Sequence, residues 1–565
     1  MFASSDGTQG ESVSASVDDK FKICKRLASF DVDFIEAGWP GSNPKDAAFF
    51  ERAKTDLTDA EKAKLAAFGS TRRKGVTVQD DAQVQALLDS QAPTVCIVAK
   101  GHSWQVTEIL RASLEENLAM IEETVAYLVQ QGRNVMVDLE HFFDGYTADP
   151  EYALQCCETA ARAGASCLVL CDTNGGHMPW QVQSAVQELR NNMKHQVTLG
   201  IHCHNDCGMA VANSIMGVQS GVGLVQGTIN GIGERTGNAD LCSIIPSLAL
   251  KSETSMTCRH KLQDITSLSR YVDEILNRTP NHAAPYVGAS AFAHKGGLHV
   301  AAMKRSSKSY QHAEPSDVGN ESRVLISELS GRQNILGKVE AMGVDSKEVA
   351  SDRALAILNR VKQLEAKGYT FEGAEASVDL MILHASQDYC PPFRVLDYSA
   401  QVYDSKLDSA SRFLYEEEDG DKVCSILGPT ARATVKVRTV ETHPEGTEEV
   451  ENESASPFKD RLEVGDGNGP VDALANALMR ALHPSHPSLE NVELVDYKVR
   501  ILDPESATGA ATRVMIEFRD MSNEKTWTTV SVDTNVISAS LNALIDGFEY
   551  ALIDYAHSCA LCEDF

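Results

Sequence analysis

The sequence predicts an α/β fold: a (β/α)8 barrel of the TIM type, then a helical linker region and an α+β C-terminal domain of two βββα units. In the first half of the 565 residues, short apolar runs alternate with amphipathic stretches. From about 253 to 370 the pattern becomes helical and the alternation stops. Beyond it, runs such as ATVKVRTV and RVMIEFRD alternate apolar and polar residues, which is typical of antiparallel strands with one solvent-facing side.

The barrel prediction depends on the number of apolar runs. Almost continuously apolar strands that recur about every 30 residues, with helices between them, form parallel βα units. Seven such runs follow a stub of an eighth before Asp6, which suits eight strands in a span of about 250 residues. A doubly wound sheet also alternates, but it usually has fewer strands, and its dinucleotide-binding glycine fingerprint is absent from this sequence. The runs are VDFIEA (32–37), KLAAFG (64–69), TVCIVA (94–99), NVMVDLE (134–140), SCLVLCD (166–172), VTLGIH (197–202) and LVQGTI (224–229).

The C-terminal part contains a weak internal repeat. GPVDALANALMRAL, from Gly469, and NVISASLNALIDGF, from Asn535, each follow a group of predicted strands and place small and apolar residues on one helical face. Two βββα copies form a module of their own, and a repeat that leaves one face uncovered is a candidate for dimerisation or effector binding. The expected domains are residues 1–252 for the barrel, 253–370 for the linker and 371–565 for the regulatory module.

Composition excludes several classes of protein. Lys+Arg 51 against Asp+Glu 80 gives a net charge of −29, which repels phosphate backbones and argues against a nucleic-acid partner. The 14 cysteines are too dilute for a disulfide scaffold. The apolar runs are all shorter than the ~20 residues of a membrane helix, and the first residues do not resemble a secretory signal. We therefore expect a soluble, cytoplasmic protein that has no membrane partner.

The sharpest chemical feature is GIHCHND at 200–206. His202 and His204 are two residues apart at the end of a predicted strand, so their side chains point the same way, at the barrel face where active sites lie. A histidine pair alone also fits an ordinary polar cluster, and its position at the mouth favours half of a metal site. Asp6 and Asn238 are the candidate oxygen ligands. Such a site suits Mg²⁺ or Mn²⁺, with Zn²⁺ or Co²⁺ as alternatives.

Other strand ends carry acid–base candidates. Glu140 ends the run NVMVDLE, and Asp172 and Thr173 lie at the end of SCLVLCDTN. A partly desolvated carboxylate at a strand end suits a general base. Each of these residues alone also fits the simpler role of holding a loop, but polar groups at several strand ends together favour a site.

A basic loop follows the second complete run, at 70–75. Arg72, Arg73 and Lys74 lie together there in a chain that is otherwise acidic. The loop is a candidate for contact with an anionic substrate. A solvated loop is an equally good interpretation of the same three cations.

Segments along the whole chain resemble one enzyme family. They are DGTQGESVSAS (6–16), FIEAGWPGSNPKD (34–46), FGSTRR (68–73), HFFDGY (141–146), LCDTNGG (170–176), GIHCHND (200–206), GTINGIGERTGNADLCSIIP (227–246) and FAHKGGLHV (292–300). The sequence resembles the citramalate synthases, of the acyltransferase family that also contains the 2-isopropylmalate and homocitrate synthases. The C-terminal module is similar to the amino-acid-sensing regulatory domain of that family.

The resemblance implies a Claisen condensation of acetyl-CoA with a 2-oxo acid, followed by hydrolysis of the thioester. With pyruvate the products are (R)-citramalate and CoA, on a route to isoleucine. The resemblance also implies a homodimer and an amino-acid effector, isoleucine or leucine. A 2-isopropylmalate synthase of leucine biosynthesis is the main alternative, because one methylene in a substrate pocket is worth only about 1–3 kcal/mol.

The resemblance also implies roles for individual residues. Four ligands are implied for the divalent metal: Asp6, His202, His204 and, more loosely, Asn238. Glu140 corresponds to a glutamate at the substrate and is the implied general base, and Thr173 to a residue that hydrogen-bonds the substrate carboxylate. His299 and Tyr310 correspond to linker residues that reach the site of the partner subunit.

One position departs from the family pattern. Where the family has an arginine before the metal-binding aspartate, this sequence has Ser5 before Asp6, and the first predicted strand is very short. We expect that the true start of the chain lies upstream or that its first exon is wrongly joined. The alternative is a catalytically impaired, amino-acid-binding regulatory homologue.

Overall fold

The structure is a computed structural model of the chain. It describes residues 2–3, 7, 10–11, 13–294, 296–303, 305–327, 330–342, 351–386, 389–403, 431–440, 458–523 and 525–553. The chain forms two compact units. The first comprises residues 1–292 and 311–322, and the second comprises residues 293–310 and 323–565.

The first unit contains one sheet of eight parallel strands in sequential order, β1 to β8. This order confirms the predicted barrel strands, including the stub, which is β1 and pairs in parallel with β2. The strands are β1 (Phe2–Ala3), β2 (Ile35–Glu36), β3 (Leu65–Ser70), β4 (Thr94–Lys100), β5 (Asn134–Glu140), β6 (Cys167–Asp172), β7 (Thr198–Cys203) and β8 (Leu224–Gln226).

Helices separate the strands, as the amphipathic stretches predict. The first of them begins with a capping box: the Ser16 hydroxyl accepts the Asp19 N–H, and the Asp19 side chain accepts the Ser16 N–H. The α-helices of this unit are Val17–Ser29, Pro44–Asp56, Asp59–Lys62, Ala82–Asp89, Leu114–Gln130, Phe142–Ala148, Pro150–Ala163, Pro179–Asn192, Ala210–Gln219, Leu241–Lys251 and Ile265–Ile275.

The sheet is buried along most of its length, because helices pack against its outer face and side chains fill its inner face. Every residue of β6 is buried. Cys167 and Cys171 pack with Cys96, Met136 and Val169 in one small core cluster. Both strand cysteines are therefore core residues.

The second unit begins with short elements. Strand β9 (Ala293–His294) pairs in parallel with β10 (Arg323–Val324). Four helices accompany them: Gly297–Met303, Arg332–Ala341, Ser351–Glu365 and Glu375–His384. Buried apolar residues of the last three helices, among them Ile335, Val361 and Val378, share one core cluster.

The remainder of the second unit consists of two βββα copies, as the internal repeat predicts. Each antiparallel sheet has three strands in sequential order and is followed by one long helix. Both sheets contain a register shift just before an Asp-Tyr pair, at Val395/Asp397 and at Leu494/Asp496. The copies are β11 (Phe393–Val402), β12 (Ala431–Val440), β13 (Phe458–Gly467) and helix Pro470–Leu482, then β14 (Val492–Ile501), β15 (Thr512–Asp520), β16 (Lys525–Asp533) and helix Val536–Ala551.

Ser5 and Asp6, which the sequence analysis singles out, lie outside the described residues. The acidic segments 416–421 and 441–454 and the C-terminal cysteines Cys559 and Cys562 also lie outside them. Within the part of the chain that is described, no helix is long and apolar enough to cross a membrane.

Candidate active site

The carboxyl end of β7 brings two of the predicted metal ligands together. His202 is a buried residue of β7, and the ring centroids of His202 and His204 are 5.2 Å apart. The segment after β8 folds back on this end, with an antiparallel bridge between His204 and Asn238 and a 2.9 Å bond from Ala239 N to Cys203 O. The histidine pair and Asn238 therefore lie close together at the end of β7.

Two of these side chains carry buried polar atoms that have no hydrogen-bond partner among the described residues. His204 Nδ1 and both amide atoms of Asn238 are inaccessible and have no partner among the described residues. Burial lowers the pKa of His204 to about 3, so this imidazole is neutral. Because an unpaired buried polar group costs free energy, these atoms indicate a site for a polar ligand or ion.

The donor set fits a divalent metal. Two imidazoles and one amide oxygen converge here, and Asp6, which would supply a carboxylate, lies outside the described residues. Within the described ranges, no group of three or more His, Cys, Asp or Glu residues is arranged to hold a metal ion. The described half of the site is thus N,N,O and needs at least one further donor.

Glu140, the candidate base, ends β5 beside a lysine. Its Oε2 forms an ion pair with Lys100 Nζ, and Lys100 ends the neighbouring strand β4. Both side chains are about one-quarter exposed, at 23% for Lys100 and 28% for Glu140. The lysine holds one carboxylate oxygen and limits the conformations that Glu140 adopts.

Thr173 follows β6 and contacts the loop after β5. Its hydroxyl oxygen accepts the His141 backbone N–H at 2.8 Å. His141 has φ of 56°, a left-handed conformation that costs a residue other than glycine about 1 kcal/mol or more. Because the threonine oxygen accepts this bond, its own O–H remains able to donate to a substrate.

Asp172 is fully buried at the end of β6 and organises the next loop. Its carboxylate accepts the backbone N–H groups of Gly176 and His177, each at 3.2 Å, and contacts His177 Nδ1 at 2.9 Å. This contact raises the pKa of His177. The geometry therefore gives Asp172 a loop-holding role next to Thr173.

Arg235 connects three loops at the mouth. Its Nε and Nη2 bind both carboxylate oxygens of Asp206, at 2.8 and 2.9 Å, and Nη2 also donates to Thr173 O at 2.8 Å. Arg235 itself has φ of 57°. The guanidinium thus ties the loops after β6 and β7 to the loop that carries Asn238.

The basic loop after β3 is paired within the chain. Arg72 is buried, and its guanidinium binds Glu116 at 2.8 Å and Glu123 at 2.5 Å. Arg73 Nε binds the buried Asp81 at 3.0 Å, while the Arg73 side chain is 60% exposed. Contact of Arg72 or Arg73 with substrate stays a prediction. Arg73 is the better candidate for this contact because its side chain is more exposed.

His299 and Tyr310 lie in the second unit and contact each other. Their rings stack with centroids 4.1 Å apart and an interplanar angle of 27°. Tyr310 is 49% exposed, and His299 is exposed as well. The two residues that the resemblance places in the partner's site thus form one exposed aromatic pair.

Sequence reasoning missed three residues of the mouth: Lys100, Gln226 and Arg235. Lys100 and Gln226 are the last residues of β4 and β8, so the strand-end rule that selected Glu140 also applies to them. Gln226 Oε1 lies 2.7 Å from His202 Nδ1. Arg235 gives no such signal, because its partners come from two other loops.

Comparisons with known proteins identify the family to which the chain is similar. The HMGL-like family model matches residues 4–272, the homocitrate synthase post-HMGL domain-like model residues 286–369, and the LeuA allosteric (dimerisation) domain model residues 422–552. The (R)-citramalate synthase of Synechocystis sp. is 43% identical over 97% of this chain and 94% of its own length.

The chain belongs to the (R)-citramalate synthase family. The (R)-citramalate synthase of Geobacter sulfurreducens is also 43% identical, over 97% of this chain and 96% of its own length. The 2-isopropylmalate synthase of Methanocaldococcus jannaschii is 27% identical over 97% of this chain and 93% of its own length. The HMGL-like match covers the strands β2 to β8, and the LeuA match covers the C-terminal repeat from β12 onwards.

Proposed function

We propose that the chain condenses acetyl-CoA with pyruvate and releases (R)-citramalate and CoA. The observation that carries the proposal is the similarity to (R)-citramalate synthases, at 43% identity over 97% of the chain. The 2-isopropylmalate synthase of Methanocaldococcus jannaschii is only 27% identical over the same share. Pyruvate is therefore better supported than the larger 2-oxoisovalerate, and the product belongs to isoleucine biosynthesis.

A divalent metal at the mouth is part of the proposal. Its ligands would be Asp6, His202, His204 and Asn238, and the unpartnered buried atoms of His204 and Asn238 support this set. Nitrogen and oxygen donors with open positions suit Mg²⁺ or Mn²⁺, and Zn²⁺ or Co²⁺ are alternatives. When bound, the metal supplies Lewis-acid polarisation of the substrate carbonyl.

Glu140 is the proposed general base. It takes a proton from the methyl group of acetyl-CoA, and the electron pair left on that carbon forms a C–C bond with the keto carbon of pyruvate. The keto oxygen gains a proton and becomes the tertiary hydroxyl. Water then cleaves the thioester, leaving a carboxylate and free CoA. The ion pair with Lys100 supports this role because it holds the carboxylate at the strand end.

Thr173 is proposed to bind the carboxylate of the 2-oxo acid through its hydroxyl. The support is the bond from His141 N–H, which occupies the oxygen as acceptor and leaves the O–H as donor. Asp172 is proposed to support substrate binding by fixing the loop beside Thr173. Arg73 is the proposed contact of the basic loop with an anionic substrate group, and Arg72 holds that loop.

A homodimer is proposed in which His299 and Tyr310 reach the mouth of the partner subunit. The match to the LeuA allosteric (dimerisation) domain supports the dimer. Strands β11 and β14 also expose apolar side chains, including Tyr398, Val402 and Val499. Isoleucine or leucine is the proposed effector of this C-terminal module. The proposed domain boundaries remain at residues 252 and 370.

A substrate panel tests the proposal. The chain is incubated with acetyl-CoA, Mg²⁺ or Mn²⁺, and pyruvate, 2-oxoisovalerate or 2-oxoglutarate, and CoA release is followed with a thiol reagent. The proposal expects the highest kcat/KM with pyruvate. A preference for 2-oxoisovalerate would identify a 2-isopropylmalate synthase instead.

Ser5→Arg separates an impaired homologue from an active enzyme. If the serine limits catalysis, this substitution in a chain with a full first strand should raise CoA release with pyruvate. No release by either form would support the amino-acid-binding regulatory homologue. Release at equal rates would show that the arginine is not needed.

A further inference from the structure

A row of buried polar side chains lies within the first unit behind His202. Asp138 of β5, Gln226 of β8 and His202 of β7 are 5%, 1% and 7% exposed, and Cys96 of β4 is fully buried. Strands β5 and β8 are not neighbours in the sheet, so the bond between Asp138 and Gln226 spans the space between them. A polar contact in this position is costly to bury unless each member is paired.

The hydrogen bonds of the row have a fixed direction. Asp138 Oδ1 accepts from Gln226 Nε2 and from the Cys96 thiol, each at 3.0 Å. Burial raises the pKa of Cys96 well above its usual value, which keeps the thiol protonated as a donor. Because a carboxylate oxygen accepts, the amide nitrogen of Gln226 faces Asp138 and its oxygen faces His202.

The direction of this row determines the tautomer of His202. Gln226 Oε1 lies 2.7 Å from His202 Nδ1, and an amide oxygen can only accept. His202 Nδ1 must therefore carry a proton, and Nε2 keeps the lone pair that binds a metal. Reversal of the glutamine amide would favour the other tautomer, with a proton on the ligating nitrogen.

We propose that Asp138 and Gln226 are positioning residues that hold His202 as the Nδ1-protonated tautomer, with Nε2 ready to bind the divalent metal. The inference rests on the metal centre of the proposed function. It adds two residues of the barrel interior, Asp138 and Gln226, which orient one ligand of that centre. Partners of this kind commonly change metal affinity by about 10–100-fold when they are removed.

The test measures the dissociation constant of the full-length chain for Mn²⁺ alone, by electron paramagnetic resonance of the free ion. Gln226→Leu removes the acceptor and should raise this constant by about 10-fold or more. Asp138→Asn lets the glutamine amide adopt either orientation and should raise it by a smaller factor. The double variant Asp138→Asn, Gln226→Glu restores one donor–acceptor contact and an acceptor facing His202, so its affinity should return close to that of the wild type.

Cys96→Ser is the matched control. The serine hydroxyl keeps a donor to the same Asp138 oxygen, and its oxygen keeps an acceptor for Gln226 Nε2, which lies 3.6 Å from Cys96 Sγ. Its Mn²⁺ affinity should stay within about twofold of wild type, because the hydrogen bond to His202 is retained. If Gln226→Leu does not fold, Asp138→Asn and the double variant still decide the question. Wild-type affinity in the Asp138 and Gln226 single variants, or no recovery in the double variant, would overturn the inference. Failure of the wild-type chain to bind Mn²⁺ would overturn the metal centre and the proposed function with it.

Discussion

His204 at the barrel mouth and His384 in the second unit use the same side chain in opposite ways. His204 Nδ1 is buried with no partner among the described residues, and burial lowers the His204 pKa to about 3. His384 is half-exposed, and its Nε2 lies 2.6 Å from the buried Glu549, whose hydrogen bond raises the His384 pKa. Burial keeps the first imidazole neutral, whereas the carboxylate of Glu549 favours the charged form of the second, which contacts it across two helices.

The difference between His204 and His384 distinguishes a residue placed to bind a ligand from a residue that stabilises the fold. His204 Nδ1 makes no hydrogen bond among the described residues, so the cost of its desolvation is offset only when a ligand binds. The ion pair of His384 joins helix Glu375–His384 to helix Val536–Ala551, and Tyr389 O–H donates to the same Glu549 oxygen at 2.7 Å. Changes at the mouth should therefore alter activity, and changes at this junction should alter stability.

The largest effect is expected for His204→Leu. This substitution removes a proposed metal ligand and should lower kcat/KM for pyruvate by about 10³-fold. The midpoint of thermal unfolding should change little, because no internal hydrogen bond of Nδ1 is lost. His384→Gln is the matched control, with near-normal activity and a lower midpoint. Retention of more than a tenth of the activity by His204→Leu would contradict the comparison.

Glu140→Gln tests the base at the end of β5. The amide cannot take a proton from acetyl-CoA, so kcat should fall by about 10²-fold or more, while KM for pyruvate changes little. Steady-state kinetics with each substrate in turn measure the two parameters. Lys100→Met, which removes only the ion-pair partner, should cost less. A larger loss from Lys100→Met than from Glu140→Gln would assign the proton transfer elsewhere.

Thr173→Val removes the hydroxyl that is proposed to bind the substrate carboxylate. The loss of one hydrogen bond to a charged group should raise KM for pyruvate by about 10-fold. Thr173→Ser keeps the hydroxyl and should stay near wild type. Equal KM values for pyruvate in Thr173→Val and Thr173→Ser would contradict the proposed role of the hydroxyl.

The smallest effect is expected from Asp546 in the second unit. Burial, and then the nearby Glu549, raise the pKa of Asp546 to about 7, well above its value in an unfolded chain. The folded state thus retains this proton at pH values where the unfolded state has lost it, and its contribution to stability is lost as pH rises through about 7. Asp546→Asn should raise the thermal midpoint by about 5 °C at pH 8 and change it little below pH 4. Differential scanning calorimetry across this pH range measures the midpoint. A lower midpoint for Asp546→Asn than for the wild type at pH 8 would contradict the prediction.

Local and periodic features of the fold were predictable from the sequence. The strand runs follow from patterns within about 30 residues, and the βββα units follow from the internal repeat of the C-terminal part; both are confirmed. His202 and Asn238 were predictable as neighbours because both follow strand ends of one barrel.

Contacts between residues far apart in the sequence were not predictable. Arg72 pairs with Glu116 and Glu123 of a helix more than 40 residues away, and nothing in the basic loop itself indicates those partners. The bond between Asp138 and Gln226 spans 88 positions and depends on how the sheet curves. Strand-end rules select which residues reach the mouth, whereas the pairing between them requires the three-dimensional structure.

Formation of the C–C bond can be followed by NMR with acetyl-CoA labelled with ¹³C in its methyl carbon, in the presence of pyruvate, Mg²⁺ and the wild-type chain. If the chain catalyses the condensation, the label appears in the methylene group of (R)-citramalate, in step with CoA release. CoA release with the label left in acetate would show hydrolysis without C–C bond formation and would contradict the proposed function.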